Sequence, residues 1–358
     1  MESKRFFLRF KKDIWALGSS LFIFLVSLFA IFAYVLAPDK TQFANQMHLS
    51  IHSKPPGFSC DMLLIPRSDQ KIQSSMFFGK LNASEEIPIS DIRWSTSSLE
   101  YKRFGNAIDY YEEISFDRFP EAQNKTDIVS RYVYKKTFLL GTDKYGRDLL
   151  SRLLVGSRIS ISIGFVAVFI SLIIGVSLGA VAGYFGGWLD RLILWLINVI
   201  WSIPTLLMVI AITLALGRGY WQVFVAVGLT MWVEVARLVR GQVKSIKEGL
   251  FIQASTALGF SKTRILVHHI LPLVIAPLIV ISAANFASAI LMESGLSFLG
   301  IGAQPPMPSW GGMVKDHFRY LLLGKPYLAI LPGLAIMSLV LAFMMLGNSL
   351  RDILDVKV

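Results

Sequence analysis

The sequence predicts an all-α polytopic membrane protein with one small mixed insertion outside the bilayer. Three observations lead there. The apolar residues gather into six blocks, each near the ~20 residues that a bilayer crossing takes. Only 16% of the 358 residues are charged and mean hydropathy is +0.57, whereas an average soluble domain is about 25% charged. One stretch, Pro38 to about Arg158, breaks the pattern: it is polar, holds most of the acidic residues and is nearly balanced in charge.

The first block, Ile14 to Ala37, follows a basic start of Lys4, Arg5, Arg9, Lys11 and Lys12. It is longer than a signal-peptide core, and Pro38 would sit against cleavage after Ala37, so it reads as a retained anchor with its N-terminus in the cytoplasm. The remaining blocks are Ile159–Tyr184, Leu192–Leu216, Tyr220–Val239, Ile270–Met292 and Tyr327–Leu346. Alternation then places the loop between the fourth and fifth blocks inside. That loop carries Arg240, Lys244, Lys247, Lys262 and Arg264, in keeping with the inward bias of basic residues. The C-terminal RDILDVKV also falls inside, and the Pro38–Arg158 segment outside. The net charge of +11 belongs to these helix ends and not to a nucleic-acid surface.

Within the spans, Gly175, Gly179 and Gly183 recur every four residues and stack on one helix face. Such a face admits a neighbouring backbone, either from this chain or from a second subunit. Pro204 and Pro277 each remove a helix hydrogen bond and favour a bend. Glu234 falls toward the inner end of the fourth span and Glu293 at the outer end of the fifth. Neither has an opposite charge at the centre of a facing span, as an ion-coupled carrier would show.

The outer segment has the aromatic mass for a small folded cap, with Trp94, Tyr101, Tyr110 and Tyr111, and RYVYKKTF (131–138) alternates as a strand does. Asn82-Ala-Ser and Asn124-Lys-Thr match a glycosylation sequon that matters only in a eukaryotic secretory pathway. Cys60 is the single cysteine, and the adjacent His268 and His269 point different ways on a helix, so neither a disulfide nor a metal site is expected. No phosphate-cradling G-x-x-x-x-G-K-[ST] and no nucleophile–base pair occurs, which argues against an enzyme.

Two stretches interrupt the membrane pattern. In FIQASTALGFSKTRILVHHILP, Phe251 to Leu258 is a short helix candidate with Phe251, Ser255 and Leu258 near one face and small Ala254 and Ala257 beside them. Gly259 stops it, Ser261 caps the next helix from Lys262 to Ile270, and Pro272 marks re-entry. Such a helix–turn–helix suits docking in a partner or lying on lipid headgroups, and the residues alone leave both open. In GTDKYGRD, Gly141 and Gly146 permit a turn, while Asp143, Arg147 and Asp148 can pair locally and fix the entry of the second span.

The pattern Gln253-Ala254-Ser255, then Gly259, then Ile270-Leu271-Pro272 resembles the "EAA" loop of binding-protein-dependent ABC importer permeases, with glutamine for the usual glutamate and serine for the second alanine. LLGTDKYGRDLLSRLLVGSRISI (139–161), AGYFGGWLDR, ARLVRGQVKSIKE, ESGLSFLGIGAQPPMPSWG and LGNSLRDILD are similar to segments of dipeptide and oligopeptide permeases of the C type, in order from Leu139 to Asp355. The resemblance implies the type I ABC importer permease fold with six transmembrane helices. It divides the chain into an N-terminus with helix 1 (1–37), an extracytoplasmic insertion (38–138) longer than the family usually carries, and a permease core (139–358) with a coupling loop at 240–270. It implies coupling to an ATPase through Gln253, Ala254, Ser255, Ala257, Leu258, Gly259 and Pro272. Gly141, Thr142, Asp143, Gly146, Arg147 and Asp148 become candidates for periplasmic gating or for docking a binding protein, beside the plainer reading as a structural turn.

The implied partners are a homologous second permease subunit, two cytoplasmic ABC ATPases, an extracytoplasmic substrate-binding protein, a peptide substrate and membrane lipid, in a bacterial cytoplasmic (inner) membrane. No cofactor is expected on this chain; ATP and Mg would be used by the ATPases. Nickel, glutathione and antibiotic-peptide importers share the motifs. The rivals are an ion-coupled carrier or channel that needs no ATPase, and an anchor whose work is done by the cap.

Overall fold

The computed structural model describes residues 8–66, 73–81, 84–105, 109–119, 122, 124–217 and 219–354. Lys4, Arg5, the Asn82 sequon and the last four residues lie outside these. The chain divides into two compact units, one of Met1–Ser27, Ile159–Gln304 and Leu334–Val358, the other of Leu28–Arg158 and Pro305–Gly333.

The protein is mostly helical, and among the described residues five helices are long and apolar enough to cross a membrane. They are α1 (Ile14–Ile31), α2 (Leu149–Phe185), α5 (Tyr220–Lys247), α7 (Lys262–Leu299) and α8 (Tyr327–Leu354). A sixth span is reached only by counting α3 (Gly187–Trp201) and α4 (Thr205–Leu216) as one, and these are bent by 91°. The third span expected at Leu192–Leu216, with a bend at Pro204, is an elbow of two short helices. Pro204 explains it: the ring has no N–H and clashes with the preceding turn, and its own ψ of 123° is not helical. At 1.5 Å per residue neither arm alone reaches the ~30 Å hydrocarbon thickness.

The glycine face of α2 is filled by α5 of the same chain. A methyl group on Gly175 would lie 2.6 Å from Val235 Cβ, on Gly179 2.5 Å from the Ala236 carbonyl oxygen, and on Gly183 2.7 Å from the Arg240 carbonyl oxygen. Backbone thus approaches backbone over two turns. The Arg240 guanidinium holds Asp190 of α3 with two hydrogen bonds, through Nε to Oδ1 and through Nη2 to Oδ2 at 2.7 Å. Behind this seam Ile163, Ala167, Val209, Val223, Val227 and Leu296 form a buried core. Helix α7 continues through Pro277, and its first turns contain a π-helical segment, Ile265–Ile270, where the Leu271 amide reaches back to the Leu266 carbonyl. The wide turn precedes Pro272, which has no amide to donate.

In the second unit, β1 (Phe58–Ile65), β4 (Glu85–Trp94), β5 (Ser98–Arg103), β6 (Glu112–Ser115) and β7 (Val133–Phe138) make an antiparallel sheet in the order β6-β5-β4-β1-β7, and β2 (Gln73–Ser75) pairs with β3 (Gly79–Leu81). The strand expected at 131–138 begins at Val133, because Arg131 and Tyr132 end the helix Lys125–Tyr132. That helix contributes Ile128 and Tyr132 to a core with Leu63, Ile87, Leu99 and Phe119. Cys60 and Met62 point with Phe138 into a second small core with Ile51.

Candidate functional site

The helix α6 (Leu250–Ala257) stands on a narrow base. Only Ile252 and Ser255 are buried. Ile252 packs with Tyr184, Val239, Val243, Ile265 and Ile270. The Ser255 hydroxyl donates to the Phe251 carbonyl at 2.8 Å, so this side chain serves the helix itself. The expected face of Phe251, Ser255 and Leu258 is corrected accordingly: Ser255 turns inward, while Leu250 (82% exposed), Phe251 (50%) and Leu258 (75%) turn outward. Gln253, Ala254, Ala257 and Gly259 are exposed with them, and so is Pro272 at the far end of the loop.

Gly259 closes the helix at φ +79°, donating its amide to the Thr256 carbonyl at 3.0 Å, and nothing lies within 4 Å of where a Cβ would stand. That left-handed angle is what favours glycine here. Ser261 accepts from the Arg264 amide, as expected of a cap. Phe260 is held between the Arg264 guanidinium, 4.6 Å from the ring, and the His269 ring, 5.7 Å away. A groove of about 460 Å³ runs beside α6, lined by Tyr184, Lys247, Ile252, Gln253, Thr256 and Ala257. Lys247 Nζ donates to the Tyr184 carbonyl at 2.6 Å and so ties the ends of α2 and α5 to the foot of the protrusion. Sequence reasoning missed Leu250, Phe260 and Lys247; the i, i+4 spacing of Phe260 and Arg264 was the available signal.

The GTDKYGRD loop is buried. Thr142, Asp143, Arg147 and Asp148 are each at most 3% exposed, and Tyr145 is the residue of the loop that reaches the surface. Asp143 Oδ2 pairs with Arg147 Nε at 2.6 Å, while Oδ1 accepts the amides of Tyr145 and Arg147. Asp148 does not join this pair. Its Oδ2 accepts the Ser151 amide at 2.8 Å and caps α2, and burial raises its pKa.

The loop clasps residues 39–55. Thr142 Oγ1 accepts the Lys54 amide at 2.8 Å and donates to the Ile51 carbonyl at 2.5 Å, Tyr145 O accepts the His48 amide at 3.0 Å, and Arg147 Nη1 reaches Asn45 Oδ1 at 2.9 Å. Gly141 and Gly146 have φ of +81° and +74°, and a methyl group on Gly146 would lie 1.8 Å from the His48 carbonyl oxygen. His48, buried beside the Lys136 cation, has its pKa lowered to about 4, chiefly by burial. His317, whose Nε2 faces the Lys144 amide at 3.4 Å, is lowered by burial too. Among the described residues no group of three His, Cys, Asp or Glu side chains is placed to hold a metal.

The family model for "Binding-protein-dependent transport system inner membrane component" matches residues 175–358, just over half of the chain. The chain is 43% identical over 217 residues to the dipeptide transport system permease protein DppC of Alkalihalophilus pseudofirmus, covering 61% of this chain and 71% of that protein. It is 41% identical over 218 residues to the glutathione transport system permease protein GsiD of Pectobacterium atrosepticum, covering 61% and 72%. Among solved structures, an inward-facing MetNI methionine ABC transporter chain is 19% identical with a TM-score of 0.41, over 53% of this chain and 95% of that one. The chain belongs to the inner-membrane components of binding-protein-dependent transport systems.

Proposed function

We propose that this multi-pass chain is the permease subunit of an ATP-driven importer of di- or oligopeptides, and that Leu250–Gly259 couples it to a separate ATPase. The observation that carries the proposal is the outward ridge of α6. Leu250, Phe251 and Leu258 are exposed on a short protrusion in which Ile252 and Ser255 are the buried side chains. Apolar side chains grouped on a protrusion mark a surface that a partner covers.

In this reading the chain performs no chemistry and binds no cofactor. ATP and Mg act in two ATPase subunits, and a second, homologous permease supplies the other half of the path. A substrate-binding protein delivers solute on the side of the 38–138 insertion, and both termini lie in the cytoplasm. ATPase closure can bias the permease only through contacts that differ between its two states, and α6 supplies them. The curated relatives named for dipeptide and glutathione transport favour a peptide as the solute. Gln253, Ala254, Ala257, Leu258 and Gly259 form the docking face, Ser255 stiffens it, and Pro272 shapes its base. The buried Gly141–Asp148 loop holds the entry of α2 for gating and leaves Tyr145 for docking.

The test replaces Gly259 with valine. The side chain meets no neighbour, so the cost is the backbone penalty of about 1–2 kcal/mol at a left-handed position, and import is lost while membrane insertion persists. A companion, Leu258→Asp, releases the ATPases on co-purification. Full import by Gly259→Val, or ATPases retained by Leu258→Asp, refutes the coupling role. Transport abolished by a protonophore with ATP present would favour an ion-coupled carrier instead.

A further inference from the structure

We infer that Glu234, beside the α3–α4 elbow, forms a binding site for the ammonium group of the transported solute. This rests on the peptide-import reading above. Helix α5 is the most enclosed of the five candidate spans, with 67% of its apolar window buried, yet Glu234 is exposed on the strip that remains open. An ionisable side chain in a span is costly against lipid and faces a water-filled path or an opposite charge. A cavity of about 120 Å³ opens at that strip, bounded by Trp201, Thr205, Met208, Thr230, Glu234 and Ser288 among others.

Neither nearby cation pairs directly with the carboxylate among the described residues. Arg237, one turn on, lays its guanidinium over the Trp201 ring at 4.0 Å, and Arg240 is committed to Asp190. No ion pair or hydrogen bond of the Glu234 side chain is found among the described residues. One carboxylate with three hydroxyl groups suits an ammonium, which has three protons to donate and no acceptor need. One carboxylate falls short of the set of about six to eight oxygens that calcium takes. At about 120 Å³ the cavity has room for a terminal amine and its first carbons.

The test uses the assembled transporter in membranes, with Ser288→Cys as a thiol probe on the exposed cavity wall. The native Cys60 is buried with its pKa raised to about 11, so it stays silent. A cationic methanethiosulfonate should label Ser288→Cys about tenfold faster than an anionic one of similar size, from a unit charge within a few ångströms. Adding Glu234→Gln should abolish that preference. Tri-alanine should slow labelling, N-acetyl-tri-alanine should not, and Glu234→Gln should remove the protection. Equal rates with both reagents, no labelling, or protection by both peptides or by neither would overturn the site. Tri-alanine import is measured in parallel: import without a charge preference sinks only the Glu234 site, whereas a charge preference without any peptide import sinks the peptide reading.

Discussion

Gly179→Ala and Gly241→Ala are the same chemical change in two apolar helices, and the structure gives them opposite signs. At Gly179 the new methyl would stand 2.5 Å from the Ala236 carbonyl oxygen and 2.9 Å from Val239 Cβ, whereas at Gly241 nothing lies within 4 Å. A normal contact requires α2 and α5 to part by roughly 1 Å, and a gap of that size forfeits a quarter to a half of each dispersion contact along the seam. Overpacking of this kind costs about 1–3 kcal/mol. Alanine's better helix propensity returns about 1 kcal/mol, which leaves Gly179→Ala destabilised by up to about 2 kcal/mol. Gly241→Ala keeps the propensity gain alone and is stabilised by up to about 1 kcal/mol. Thermal unfolding of the purified protein in detergent, followed by tryptophan fluorescence, should therefore move the two midpoints in opposite directions. If both variants move the same way by the same amount, the close approach of α2 and α5 is wrong.

The cap carries two further predictions. His48 is 4% exposed and its folded pKa is about 4, against 6.5 in the unfolded chain. Above pH 6.5 both states are neutral and the cap is fully stable. Between pH 6.5 and about 4 the unfolded chain takes up a proton that the folded chain refuses, so stability falls as pH drops, by about 3 kcal/mol in all. The buried His317 adds in the same sense. Proteolysis of the cap across this range measures the slope, and His48→Gln should flatten it; an unchanged slope removes His48 as the cause. Gly146→Ala should open the clasp on residues 39–55, because its methyl meets the His48 carbonyl oxygen at 1.8 Å and its φ is +74°. The joint cost is about 2–5 kcal/mol, visible as faster proteolysis of the cap, and a variant as resistant as the parent contradicts the geometry.

The apolar spans were legible because a bilayer demands uninterrupted apolar runs, and runs are a property of neighbours in sequence. The glycine spacing of α2 announced a close approach in the same way, since a four-residue period fixes a face before any partner is known. What occupied that face, α5, was not legible, because nothing local in Val235, Ala236 or Arg240 names the helix they will meet. Pro204 announced a bend and not its size: 91° is set by how α3 and α4 pack, with Asp190 held by Arg240.

The inward turn of Ser255 was misread for a related reason. A helix of small residues has little contrast between its faces, so burial is decided by the base on which Ile252 lands. In the cap, pairings such as Met62 with Tyr134 and Glu100 with Glu113 join residues far apart or of like charge. The first lies beyond any window of alternation, and the second is tolerated because Ser98 donates to Glu113. The buried bonds of Asp143 and Thr142 reach back to residues 51–54, a distance that no motif spacing encodes.

The glycine seam has a mechanical consequence. With carbonyl oxygens of α5 seated where side chains of α2 would otherwise stand, neither helix can slide along the other by a fraction of a turn without driving a side chain into a backbone. The two travel as one beam. Rearrangement within this unit is then left to its joints, the proline elbow after Trp201 and the wide turn from Ile265 to Ile270. A push on α6 passes through Ile252 to Ile265 and Ile270 in that second joint, and through Val239 and Val243 to the stiff member beside it.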